Sequence, residues 1–216
     1  MKIIIYTGLS LPFDEAKEIL DSSENVEVIY KKPIRRGDIP IAIKEQPDII
    51  GIIDGVFHQV PAVAHKEILE AIEKGITVIG ASSMGALRAS ELDSLGMIGV
   101  GYVYNQYASG KITSDDDVAV VLDINTLEPL SIPLVSMEYV FSQACKENII
   151  DENEKTELLK IAKEIYYPKR TYANVFSKSK LENKKKNSLI DFINKSTDIK
   201  KEDAKELLKY IKRMIK

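Results

Sequence analysis

The sequence predicts an α/β fold: a mainly parallel sheet with flanking helices, followed by a smaller helical C-terminal part. Three observations predict it. Over the first 104 residues, short Ile- and Val-rich runs alternate with helix-period segments, the pattern of repeated βαβ units. Those runs are apolar at consecutive positions, as strands covered by helices on both faces must be. After Asp151 the chain reads as almost wholly helical, and its charge changes sign.

The strands fall at Lys2 to Tyr6, Val26 to Tyr30, Ile49 to Ile53 and Ile76 to Gly80, with a fifth at Val100 to Tyr104. Between them the periodicity predicts helices at Pro12 to Leu20, Ile39 to Glu45, Ala62 to Lys74 and Met84 to Leu95. In the third helix Ile68, Leu69 and Ile72 form the apolar stripe and Gly75 supplies the stop. This is the layout of a three-layer, Rossmann-like sheet. Beyond Asn105, Tyr107 to Lys111 reads as a helix end, and Ser114 with Asp115 to Asp117 as a solvated cap before a strand at Val118 to Leu122. A helix from Ser136 to Lys146 follows, and the helices after Asp151 are broken at Pro168 and at Lys184-Lys185-Lys186. The expected division is an α/β core over 1–150, carrying the site, and a basic helical region over 151–216.

Composition narrows the function classes. At 216 residues, 44% hydrophobic and 29% charged, the chain can bury a core, which excludes collagen-like and broadly disordered proteins. No apolar run approaches the roughly 18 residues of a membrane span; the run at Ile49 to Ile53 stops at Asp54. The run after Met1 ends at Thr7-Gly8 with no small-residue cleavage site beyond, so it reads as a strand. One cysteine, Cys145, and two histidines suit neither a disulfide nor a zinc cage, so a reducing, cytoplasmic setting is expected and no metal. Residues 1–150 carry a net charge of −10 and residues 151–216 one of +7, so the two parts face different partners or each other. The lysines of the basic part are mixed with acids at helical spacing, which favours a solvated or protein-docking face over nucleic acid. Neither G-x-G-x-x-G nor G-x-x-x-x-G-K-S/T occurs, and Tyr6-Thr7-Gly8-Leu9-Ser10 is only a weak phosphate-loop match.

The chemistry concentrates in Thr77 to Arg88, a buried strand running through small residues straight into a helix. Aligned on Ser83, Ala81-Ser82-Ser83-Met84-Gly85 matches a nucleophile elbow with Ala in place of the first Gly. A serine there stands at the strand tip, where open α/β sheets bind ligands. The amides of Met84 and Gly85, at the start of the next helix, are placed to hold an oxyanion. The plain alternative is a serine capping a βα turn. A nucleophile needs a base, and His58, His65 and Lys66 lie in the neighbouring unit; a lysine base has to be neutral, which burial favours. Asp54-Gly55 closes the third strand at the same sheet edge, where Asp54 orients a base or caps. Arg88 binds an anion or pairs with Glu91.

At these residues the sequence resembles the TfuA family. The resemblance rests on Gly51 to Phe57, Pro61 to Leu69 and Gly80 to Ala89, with Arg36-Gly37-Asp38, Gly96 to Gly101, Tyr107 with Gly110, and Asp115-Asp116 followed by Val118 to Val120. It covers about residues 36–120, and departs from the family pattern at Ala64 and Asp117. It implies a partner of a YcaO-type enzyme, which activates a peptide amide with ATP and Mg so that sulfur replaces its oxygen; this chain itself would hold no cofactor. The sulfur would come from a small ThiS-like carrier with a C-terminal thiocarboxylate, hydrolysed at a Ser-Lys pair. On this chain that pair is Ser83 and Lys66, with Asp54, Gly55, His65, Ser82 and Arg88 supporting it or binding the carrier's tail. For archaeal members the resemblance implies a glycine in the alpha subunit of methyl-coenzyme M reductase, converted to thioglycine, as the target. The competing expectation is a non-catalytic adaptor that binds and activates the YcaO enzyme and recruits the carrier.

Overall fold

The computed structural model describes residues 1–56, 60–121 and 129–215. Five strands, β1 (Lys2–Tyr6), β2 (Glu27–Lys31), β3 (Ile49–Ile52), β4 (Thr77–Gly80) and β5 (Ile98–Gly99), alternate with α1 (Phe13–Ile19), α2 (Asp38–Lys44), α3 (His65–Glu73) and α4 (Met84–Leu92). Then come α5 (Gly101–Ala108), α6 (Leu134–Lys146), α7 (Glu152–Glu164), α8 (Tyr172–Lys178), α9 (Asn183–Ile193) and α10 (Ile199–Met214). The chain forms two compact units, one of residues 1–111 with 199–216 and one of residues 112–198. These units do not follow the change of charge near residue 150, because the last helix belongs with the sheet.

In the first unit every strand pair is parallel and the order is β2-β1-β3-β4-β5. The order reverses between β1 and β3, so the crevice at the carboxyl ends of these strands is the topological switch point. Alternation along the strands sends Ile3, Ile5, Ile49 and Ile79 to one face, where they pack with Ala16 and Leu20 around α1 and with Leu207, Leu208 and Ile211 of α10. A Cβ on Gly51 would stand 2.6 Å from the Ile5 side chain and 3.1 Å from Leu207, so this glycine lets α10 approach β3 closely. On the other face the Tyr6 hydroxyl donates to the Asp38 carbonyl of α2, and α4 lies against β3 and β4. The α/β three-layer architecture is the one the sequence predicts.

Three expectations are corrected. The fifth strand is Ile98–Gly99, and the stretch predicted as Val100 to Tyr104 opens α5. The cause lies a hundred residues away: the buried Asp203 carboxylate on α10 accepts the amides of Tyr102 and Val103 at 2.8 and 2.7 Å, capping that helix. Gly101 has φ +93° and stands where a Cβ would meet the Asp203 carboxyl at 2.5 Å, so both its backbone and its missing side chain serve the cap. Residues 118–121 form no strand, and Leu122 lies outside the described residues. Lys184 to Lys186 sit in the first turn of α9 rather than breaking the helices.

In the second unit Leu134, Met137, Phe141, Leu158, Val175, Phe176 and Leu189 form the core. The acidic run is a cap, as predicted, but its last member is not solvated. Asp117 is buried and accepts the amides of Thr113 and Ser114, while Asp116 pairs at 2.9 Å with the fully buried Arg170. That guanidinium also donates to the carbonyls of Ala162 and Asp116, which satisfies it away from water. Among the described residues no helix is long and apolar enough to cross a membrane.

Candidate active site

The carboxyl ends of β1, β3 and β4 bring three connections together. The β4 connection is the tightest. Ala81 continues the ladder, its amide donating to the Ile52 carbonyl, and the Ser83 amide then turns back to the Ala81 carbonyl at 2.9 Å. This three-residue turn centres on Ser82, whose φ of +68° is a conformation that serine adopts rarely and at a cost of about 1–3 kcal/mol. The strained residue of the elbow is therefore Ser82, one position before the predicted nucleophile. Ser82 is fully buried and its hydroxyl has no hydrogen-bond partner among the described residues.

Ser83 is the N-cap residue of α4, with φ −120° and ψ −118°, and it is partly exposed. Its side chain makes no capping hydrogen bond, so its hydroxyl is not consumed by the plain role that a serine at this position usually fills. Of the two amides predicted to face it, that of Gly85 already donates to the Ile53 carbonyl at 3.3 Å. The Met84 amide makes no hydrogen bond among the described residues and remains as the donor. The Gly85 bond follows from packing: a Cβ there would lie 1.8 Å from the Ile52 carbonyl oxygen, so only glycine lets α4 begin directly on β3. Gly80 supports the same approach, with a Cβ there 2.1 Å from the Gly85 oxygen. Gly55 plays a related part, since its missing side chain seats Met84, whose Cγ would be 2.6 Å from a Cβ.

Asp54 lies two residues beyond the end of β3 and is buried. Its carboxylate accepts the Ser10 hydroxyl at 2.6 Å and the amides of Gly8 and Ser10 at 3.0 and 2.9 Å. It therefore organises the β1–α1 loop and, among the described residues, touches no candidate base. That partner set is missed by sequence reasoning, because the weak phosphate-loop match at Tyr6 to Ser10 gives no sign of a carboxylate 44 residues later.

The candidate bases differ in standing. His58 lies outside the described residues. His65 and Lys66 open α3 and are both exposed. His65 Nε2 lies 2.8 Å from Glu91 Oε2, and the same oxygen accepts Arg88 Nη1 at 2.5 Å. Arg88 Nε also donates to the Val63 carbonyl at 3.1 Å, so Arg88 is engaged in the ion pair with Glu91 rather than held open for an anion. Lys66 makes no hydrogen bond or ion pair among the described residues, Ser83 included, and the burial that would favour a neutral amine is absent from this arrangement. Neither does any group of three or more His, Cys, Asp or Glu among the described residues stand ready to hold a metal ion.

A family model described as TfuA-like protein matches residues 54–171, more than half of the chain. The chain belongs to the TfuA-like family. Membership suggests a role in the TfuA/YcaO system and a thioamidation-related context. The matched segment of this TfuA-like chain begins at Asp54 and takes in Lys66, the elbow, Arg88 and Glu91, whereas Gly8, Ser10 and Asp203 lie outside it. A search of curated proteins found no match.

Proposed function

We propose that this TfuA-like chain hydrolyses the C-terminal thiocarboxylate of a ThiS-like sulfur carrier and hands the sulfide to a YcaO-type partner, which thioamidates a peptide backbone. The observation that carries the reading is Ser83: a partly exposed serine at the tip of β4, its hydroxyl uncapped, beside the unbonded Met84 amide at the positive end of α4. In the proposed sequence Lys66 takes the Ser83 proton and the alkoxide adds to the carrier's terminal carbonyl, whose oxygen the Met84 amide stabilises. The C–S bond breaks as Lys66 returns that proton to the departing sulfur, hydrosulfide leaves, and a carrier acyl ester remains on Ser83 with the lysine amine neutral again. Water, deprotonated by Lys66, then cleaves that ester to the carrier carboxylate and free Ser83. In this reading the carrier tail docks over the first turn of α3 and covers the exposed Lys66 amine.

The scheme draws on no cofactor in this chain; ATP and Mg serve the YcaO partner. The wider setting is a cytoplasmic one, with a glycine of the methyl-coenzyme M reductase alpha subunit as the peptide finally modified. The exposure of Lys66 favours a second reading, an adaptor that binds the carrier and activates the YcaO enzyme without chemistry of its own. Intact-mass analysis of the protein mixed with thiocarboxylated carrier separates the two. A covalent carrier adduct that maps to Ser83 and is missing in Ser83→Ala supports the hydrolase; a bound carrier that never becomes covalent while its thiocarboxylate persists supports the adaptor.

A further inference from the structure

The proposed pair comes from two helices, Lys66 from α3 and Ser83 from the start of α4, and the two side chains make no hydrogen bond to each other. Their separation has to be set by contacts between the helices, and those contacts converge on Glu91. Helix α4 carries Ser83 at its N-cap and Arg88 and Glu91 one turn apart further along, an i, i+3 spacing that places both on one face. From that face Arg88 Nε reaches the Val63 carbonyl just ahead of α3, at 3.1 Å. Glu91 Oε2 meets both Arg88 Nη1 at 2.5 Å and His65 Nε2, on the first residue of α3, at 2.8 Å. The Arg88 side chain is only 12% exposed, so this pair is less open to water and salt than an ordinary surface bridge. On the other side of Lys66, Glu67 accepts the Gly37 amide at 2.9 Å, and the Arg36 amide donates to the Pro61 carbonyl at 3.0 Å. Lys66 thus stands between two anchored neighbours, while its own side chain makes no hydrogen bond or ion pair among the described residues.

We infer that Glu91 is a positioning residue, locking His65 and Arg88 together so that the first turn of α3 holds Lys66 at a fixed place relative to Ser83. The inference rests on the hydrolase reading. Reacting groups misplaced by about 1 Å lose on the order of a hundredfold in rate, so a clamp of this kind acts on turnover more than on binding. Glu91→Ala removes both of its contacts. Glu91→Gln keeps, at the place of Oε2, a carbonyl oxygen that can accept from both Arg88 Nη1 and a His65 Nε2–H.

The test compares the full-length wild type, Glu91→Ala and Glu91→Gln for sulfide release from a thiocarboxylated ThiS-like carrier, alongside hydrogen exchange of the amides of residues 64–68. The expected result is a kcat lower by about tenfold or more in Glu91→Ala with KM within about twofold, and rescue to within about threefold of wild type in Glu91→Gln. Exchange at 64–68 rises by about fivefold or more in the alanine variant and stays near wild type in the glutamine variant. A wild-type kcat in Glu91→Ala, or equal losses in both variants, overturns the inference. Should the wild type release no sulfide, the hydrolase reading falls and takes Glu91's part in catalysis with it, while the exchange rates still decide whether the clamp exists.

Discussion

Asp54, buried two residues beyond the end of β3, holds the Ser10 hydroxyl at 2.6 Å and bonds the backbone on either side of Leu9 through its other oxygen. The carboxylate is fully occupied by the loop that follows β1, and Leu9 is left 47% exposed at the switch point. The first task of Asp54 is to shape one wall of the crevice. Asp54→Ala leaves two amides and a hydroxyl of the loop without their acceptor and is expected to cost about 2–3 kcal/mol; Asp54→Asn, which keeps one acceptor, should cost less. Urea unfolding of the two variants checks the order.

Ser82 predicts the opposite sign. It combines φ +68° with a buried hydroxyl that has no partner among the described residues, and both features work against stability. Ser82→Gly removes both and is expected to stabilise the fold by about 1 kcal/mol after the entropic cost of glycine. Ser82→Ala keeps the strained backbone and removes only the hydroxyl, so its gain should differ from that of the glycine variant by the cost of the turn less the entropic cost of glycine. Thermal unfolding of both variants separates the two contributions.

Asp203 makes stability depend on pH. Desolvation raises its carboxyl from 3.8 to about 6, although the amides of Val103 and Tyr102 pull the other way and Glu206 and Glu202 add to the rise. A raised value means that the folded state binds the proton more tightly than the unfolded state. The associated stability is therefore fully present below 3.8 and is lost as pH rises through about 6. Asp203→Asn cannot titrate. The stability of the wild type minus that of the variant should fall between pH 4 and pH 7 by on the order of 3 kcal/mol, read by urea unfolding across that range.

These residues also show what could be read in the chain and what could not. The first four strands were legible because buried parallel strands leave an unbroken record of Ile and Val, and α3 because its stripe of Ile68, Leu69 and Ile72 ends at the Gly75 stop. Val100 to Tyr104 carries equally strong strand formers, but a cap supplied by Asp203 overrides local preference there, and nothing near Gly101 announces it. The elbow was legible as a place, since small residues between a strand and a helix have few other uses. Its internal geometry was not: the positive φ falls on Ser82, and the Gly85 amide is drawn off by Ile53, because both depend on how α4 seats on β3. The His65–Glu91–Arg88 cluster joins two helices, so only the Arg88 to Glu91 half of it shows in local spacing.

The central claim is that Ser83 and Lys66 cleave a carrier thiocarboxylate. Multiple-turnover sulfide release, measured with no YcaO enzyme present for the wild type, Ser83→Ala and Lys66→Ala, tests it most directly. The expected result is release by the wild type over many equivalents of carrier, and loss of about a thousandfold or more in both variants with folding and carrier binding unchanged. Undiminished turnover by Ser83→Ala, or a wild type that binds the carrier and releases nothing, would contradict it.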